Sequence, residues 1–257
     1  MKNSKFKMSA GSSTGGGNFE FLILNFEFAR ASRARRGFTL IELMIVIGII
    51  VVLAAVLVVS FSGVFGKRDT AVAQTNIELL GANLQAYQTK WHSYPLSTLT
   101  ALAAQNRIST PVSDPNDANM GIETLVMALR SRKNGGPFLD AKLFGNDEWR
   151  KNYDGDELTD NVFDVDGALG LFEIVDPWGT PYVYINMNDV RNGTVKEKIQ
   201  REDGTSEDLK VNELQDKLKH PTTGQYPQGY VIWSFGPDKK NDYGRGDDIT
   251  SWPKYSD

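Results

Sequence analysis

The densest set of residues able to do chemistry lies near the carboxyl end, where residues 236–249 read GPDKKNDYGRGDDI. Four aspartates, Asp238, Asp242, Asp247 and Asp248, stand among three glycines. Carboxylates and backbone carbonyls on a pliable loop are what calcium takes, with about six to eight oxygen ligands. The spacing is not that of an EF-hand, because Lys239 and Lys240 interrupt it and no glutamate closes it. On the residues alone, a calcium loop and a solvated acidic turn both stand. A second candidate is Glu42, inside the apolar run FTLIELMIVIGIIVVLAAVLVV. A carboxylate within a membrane helix costs about 2.5–3.5 kcal/mol on insertion scales and marks function by default. The alternative is an interfacial residue reaching the headgroups, since Glu42 lies near the end of the run.

Catalytic patterns are not evident. His92 and His220 are the only histidines, and neither sits in H-E-x-x-H; no G-x-x-x-x-G-K-[ST] loop occurs. The chain has no cysteine, which excludes disulfides, cysteine-ligated zinc and thiol nucleophiles. The expectation is a protein that is not an enzyme.

The elements that must position these residues begin with the apolar run. About 20 apolar residues of helix cross a bilayer, and Leu43 to Val59 carries no charged or polar side chain. Lys2, Lys5, Lys7, Arg30, Arg33, Arg35 and Arg36 against Glu20 and Glu27 give the first 37 residues a charge of +5. The whole chain of 257 residues is −4, so the remainder is −9. A basic amino end kept in the cytoplasm and an acidic exported body follow from that asymmetry. An acidic body does not suit nucleic-acid binding, which needs a basic face toward phosphates. A secretory signal peptide would place its small-residue cleavage site after the apolar core; here the small residue, Gly37, stands before it.

No proline lies between Phe38 and Tyr94, and Ala71, Ile77, Leu80, Leu84 and Tyr87 follow a helical period. One helix is expected from about Phe38 to Trp91, with Gly63 and Gly66 as soft points. Short helices are expected at Leu96 to Ala104 and, amphipathic, at Gly121 to Arg132. A long loop is expected from Gly135 to Gly170. PYVYIN (181–186) and GYVIWSF (229–235) read as strands. The charged stretch Asn188 to His220 reads as an exposed excursion. In Asp176-Pro177-Trp178-Gly179 each residue type suits its turn position, and Trp178 is expected to fill space between helix and sheet.

The junction Arg35-Arg36-Gly37-Phe38-Thr39-Leu40-Ile41-Glu42 resembles the type IV prepilin signature, which pseudopilins of type II secretion share. The head is similar to major pseudopilins in the order of four motifs: Trp91 to Pro95, Asp176 to Tyr184, Trp233 to Asp238, and Gly246 to Ile249. The resemblance implies an α+β, pilin-like fold, with a long amino-terminal helix packed on a small antiparallel sheet that ends in a loop. It implies a leader, 1–37, removed by prepilin peptidase between Gly37 and Phe38, and N-methylation of Phe38. Residues 38–60 would then be the transmembrane half of the helix and 61–92 its soluble half. Residues 93–257 would form the head, with insertions at about 105–172 and 188–222. Glu42 would serve assembly by meeting the amino group of Phe38 on a neighbouring subunit, and the aspartates of residues 236–249 would bind calcium. The implied role is a subunit of a secretion pseudopilus, with a type IV pilin for adhesion, motility or DNA uptake as the alternative. The implied partners are identical subunits, minor pseudopilins and an inner-membrane assembly platform. The implied location is the inner membrane, with the head periplasmic, and then the filament. The chain departs from the pattern in its long leader, its large insertions, and the lack of the helix-kinking proline common in type IV pilins.

Overall fold

The structure, a computed structural model, describes residues 38–139, 145 and 147–254. The expected leader, residues 1–37, therefore lies outside the described residues. The fold is α+β and pilin-like: a long amino-terminal helix precedes a head of short helices and small antiparallel sheets. Helix α1 runs from Leu40 to Trp91. It continues through Gly63 and Gly66, where the sequence suggested softening. Its exit is set by His92, whose φ of 55° takes the chain out of the helix while its N–H still bonds the Gln88 carbonyl at 2.8 Å. Leu40–Leu57 is long and apolar enough to cross a membrane, and none of it is buried. Bare apolar side chains in such a run are stable in lipid and not in water.

Within the head, Ala73, Ile77, Leu80, Leu84 and Tyr87 are buried in steps of three and four residues. Ala73 takes the place expected of Ala71, which is exposed; four residues back from Ile77 is the same helix face. That stripe packs with α2 (Leu99–Gln105) and α3 (Met120–Arg130) in one core. Each fully buried leucine or isoleucine contributes about 1.5–3 kcal/mol.

The central sheet joins β3 (Val183–Asn186), β6 (Tyr230–Ser234) and β7 (Ile249–Thr250) in antiparallel order β3-β6-β7. Strand alternation sends its side chains into two different cores. Tyr182, Tyr184 and Ile232 face the helical core. Val183, Ile185, Val231 and Trp233 belong to a second one.

That second core corrects the reading of Asn188 to His220 as an exposed excursion. The stretch folds into α4 (Met187–Asn192), an antiparallel pair β4 (Lys198–Gln200) and β5 (Ser206–Asp208), and α5 (Val211–Lys217). Val190, Val195, Ile199, Leu209, Leu214 and Leu218 are buried against the sheet. They are spaced too irregularly among charges to show a period, so the sequence pattern hid them. The other insertion also packs. It pairs β1 (Arg150–Lys151) with β2 (Glu173–Ile174). Leu139, Leu158, Phe163 and Val165 join the helical core. Helix α3 is consequently buried along its whole length, not amphipathic as its sequence suggests. Its Arg130 is held by the carbonyls of Asp166 and Ala168, each at 2.9 Å.

A layer and an excursion respond differently to truncation. Ile199→Ala should destabilise the detergent-solubilised chain by about 2–4 kcal/mol, as large-to-small changes in cores do. Urea unfolding followed by tryptophan fluorescence measures it; a change under about 0.5 kcal/mol is what a surface excursion would give.

Candidate functional site

At the amino end, Gly37 lies outside the described residues, and Phe38 is exposed. Thr39 and Glu42 form a reciprocal pair. The Glu42 N–H donates to the Thr39 hydroxyl oxygen at 3.3 Å, and the Glu42 carboxylate accepts from the Thr39 N–H and hydroxyl, each at 2.8 Å. This is a capping box, which satisfies donors that the first turn of a helix leaves open. Its signal, T-x-x-E, stands in the sequence at 39–42 and was missed because the carboxylate was weighed only against the membrane. Glu42 thus starts α1 within its own chain, four residues from Phe38.

The head motifs meet around the central sheet. The Tyr184 hydroxyl donates to the Pro95 carbonyl at 2.6 Å, and the Asn186 amide donates to the same carbonyl at 2.9 Å. The Tyr94 ring packs on Tyr230 with centroids 4.8 Å apart. It also lies over Gly229 (φ 79°), where an added Cβ would come within 2.4 Å of the ring. Asp176 heads the expected turn, its carbonyl accepting from the Gly179 N–H at 3.0 Å. Its buried carboxylate accepts from the N–H groups of Trp178 at 3.0 Å and Thr180 at 2.9 Å, and from the Ser234 hydroxyl at 2.6 Å. The Ser234 oxygen in turn accepts from the Gly236 N–H at 3.0 Å, fixing the start of the carboxyl-terminal loop. Trp178 is half-buried against the helical core.

The loop organises around Asp248. Its Oδ2 accepts from the N–H groups of Asp242 at 3.1 Å and Gly244 at 2.7 Å. Its Oδ1 is buried without a hydrogen-bond partner. Burial, with Asp242 and Asp247 nearby, pushes its carboxyl up to about 7. Asp247 accepts from the Asp238 N–H at 3.3 Å. Asp238 lies 3.6 Å from the Lys240 ammonium. At Gly246 (φ 52°) a Cβ would come within 2.5 Å of the Asp242 carboxylate, so only glycine permits that approach. The oxygen donors of Asp248, Asp242 and Asp247 suit the chemistry of calcium, but among the described residues they do not draw together within 4.8 Å, and Asp238 has the Lys240 ammonium beside it. The loop is anchored beyond its own aspartates. Tyr243 is buried in the second core, and Arg201 of the insertion donates to the Lys239 carbonyl at 3.0 Å.

Among the described residues, the three carboxylates that converge within 4.8 Å lie elsewhere, at Glu123, Asp154 and Asp156. Burial, then Asp156, Asp154, Glu173 and Glu197, push Glu123 up to about 11. Burial, then Asp154 and Glu173, push Asp156 up to about 7. The sequence offered Asp154-Gly155-Asp156 as a signal, but its helical partner lies 31 residues earlier and could not be paired with it by spacing.

Residues 32–58 match the family described as the prokaryotic N-terminal methylation motif. The chain is 30% identical over 152 residues to the type II secretion system core protein G of Escherichia coli (strain K12). That match covers 95% of the relative and 58% of this chain, so this chain carries residues the relative lacks. No solved structure matches it.

The loop carboxyl gives a pH signature. Asp248 keeps its proton up to about 7 when folded, against 3.8 as the ordinary value, so the folded chain binds more protons between those limits. Stability of the cation-free chain therefore falls as pH rises from about 4 to about 7. Asp248→Asn has no proton to lose there. In cation-free detergent solution it should melt above wild type at pH 7.5 by roughly 2–6 °C and level with it near pH 4. A lower melting point at pH 7.5 would mean that Asp248 is adequately paired without an ion.

Proposed function

The chain belongs to the family of the type II secretion system core protein G, and we propose that it is a subunit of a type II secretion pseudopilus. In this reading the subunit is anchored in the inner membrane, with its head in the periplasm, and polymerises through α1 to support protein export. The observation that carries the reading is the coincidence at one junction. The methylation motif spans residues 32–58, and directly behind Gly37 a capped, apolar helix begins. The three arginines at 33, 35 and 36 support retention of the amino end in the cytoplasm.

Prepilin peptidase would cut between Gly37 and Phe38, leaving Phe38 as a methylated amino end. The apolar run survives the cut and becomes the packing surface between subunits. Removal of residues 1–37 takes away the +5 segment, so the mature chain is left acidic beside its anchor. The new ammonium is one residue from Thr39, within the region where Glu42 already gathers donors. A carboxylate so placed attracts the ammonium of an adjacent subunit strongly in lipid, where little water screens the pair. The domain division at 37/38, 60/61 and 92/93, with insertions at about 105–172 and 188–222, belongs to the same proposal. So do the partners: the peptidase, identical subunits, minor pseudopilins and an inner-membrane assembly platform. Calcium would be held by the aspartates of the carboxyl-terminal loop, Asp238, Asp242, Asp247 and Asp248. Bound there, it supplies positive charge to a loop whose carboxylates otherwise repel one another. No catalytic role is assigned.

Intact-mass measurement of the chain extracted from membranes tests the junction. The expected mature species begins at Phe38 and carries one added methyl group. A mature species beginning upstream of Gly37 would sink the assignment.

Glu42 is tested by two variants. Glu42→Ala removes both the cap and the charge; Glu42→Gln keeps the capping geometry and removes only the charge. Processing and membrane abundance should be unchanged in both. Sheared-filament yield should fall about tenfold or more in both, since a charge-assisted hydrogen bond is worth about 1.5–3 kcal/mol. A loss confined to Glu42→Ala would assign the residue to capping alone.

A further inference from the structure

We propose that the head holds a second divalent cation, of the calcium class, between Glu123 on α3 and the Asp154-Gly155-Asp156 turn. It shares no residue with the carboxyl-terminal loop and does not depend on the secretion reading.

The three carboxylates present oxygens that all lie within 4.8 Å of one another. Two oxygens on opposite sides of a calcium ion at about 2.4 Å are separated by about that distance. One ion can therefore touch all three. The cluster is not a solvated surface patch. Glu123 is 2% exposed, in a helix buried along its whole length; one of its carboxylate oxygens converges with those of the two aspartates, and its Oε1 has no hydrogen-bond partner. Asp156 Oδ1 is likewise buried and unpartnered. A buried carboxylate oxygen with nothing to accept from is costly, and folded proteins resolve it with a paired charge or a metal.

The surroundings position the carboxylates without neutralising them. The Asn116 amide nitrogen donates to Asp154 at 2.8 Å and to Asp156 at 3.3 Å, drawing the two side chains together. Gly155 takes a φ of 74°, and its N–H donates to the Asn152 side-chain oxygen at 2.7 Å, which sets the turn between them. Beyond this layer stand more carboxylates. Glu173 is fully buried and accepts from the Asn119 side chain at 2.8 Å and the Tyr153 N–H at 3.1 Å. Glu197 accepts from the Gly121 N–H at 2.9 Å, and burial holds it well above the usual carboxylate range. Glu173 Oε2 and Glu197 Oε1 are also unpartnered. The amino end of α3 offers roughly half a positive charge to this group, far less than the carboxylates bring. Proton uptake by Glu123 is the competing account. Calcium would displace that proton, since the ion and the proton compete for the same carboxylate oxygens.

Donor chemistry selects the class of ion. All the donors are oxygens, with no histidine or cysteine among them, which favours a hard cation over zinc or copper. Asp154 and Asp156 are only half-buried, leaving a side open for the waters that would complete the shell. Such an ion would fasten α3 to the turn at Asp154 to Asp156, bridging residues 31 positions apart.

The test compares chelator-stripped, detergent-solubilised full-length protein with Glu123→Gln and Asp154→Asn. Calcium bound per chain is counted by equilibrium dialysis and elemental analysis, with near-ultraviolet circular dichroism as the fold control. Wild type should hold one more ion per chain than either variant, whether or not the carboxyl-terminal loop binds one. Asp248→Asn reports on that loop separately. In calcium-free buffer Glu123→Gln should melt level with wild type, because the amide keeps the shape of the neutral acid that burial favours there. In Asp248→Asn, a hundredfold excess of calcium over Kd should raise the melting temperature by about 5–10 °C, and adding Glu123→Gln should abolish that rise. Equal calcium content in wild type and both variants overturns the proposal, as does a Glu123→Gln chain that melts below wild type in calcium-free buffer.

Discussion

The hydrogen bond from Ser234 to the buried carboxylate of Asp176 is the constraint on which the head depends. It joins the turn that opens β3 to the last residue of β6, and Ser234 passes the restraint to Gly236. A carboxylate out of water needs several donors, and Asp176 has three within 3.0 Å. Losing the serine hydroxyl would leave a buried charge undersupplied, and with it the entry of the carboxyl-terminal loop. The two motifs that looked like separate family marks, Asp176 to Gly179 and Trp233 to Asp238, are one hydrogen-bonded unit. Their pairing lies in the contact itself and not in the spacing.

The sequence exposed the features that depend on local or periodic rules. The apolar run, the limits of α1 near Trp91, the strands at 183–186 and 230–234 and the turn at Asp176 all follow from periodicity, turn chemistry or the absence of proline. Features set by distant contact stayed hidden. Residues 188–220 showed charge, not the six apolar side chains that the sheet's far face recruits. Helix α3 showed an amphipathic pattern, yet it shares its core with Leu139, Leu158, Phe163 and Val165, and even its Glu123 and Arg130 are buried. The site was legible in the same uneven way. Asp248 and its neighbours stand together in the chain, whereas Glu123 and Asp156 become neighbours only through the fold. At Glu42 the local signal is the T-x-x-E capping box, which coincides with a carboxylate that is costly in a membrane.

Residues 147–172 and 188–220 act as layers and not as appendages. The first contributes to the core that buries α3, and the second covers the other face of the central sheet. A sheet in a small head usually keeps one wet face; here β3 is buried at every position and β6 at four of five. The extra chain length is therefore spent on enclosing the sheet, and it also backs the carboxyl-terminal loop through Tyr243 and Arg201.

The capping box at Thr39 and Glu42 shapes how subunits of such a filament would join. On the proposed pairing, a neighbour's ammonium would not meet an idle carboxylate; it would compete with two hydrogen bonds already made inside the chain. Docking would then be a substitution of one donor set for another, and its driving force at this point would be the difference between them. A subunit leaving the filament would regain its own donors, so its departure would strand no bare charge in the lipid.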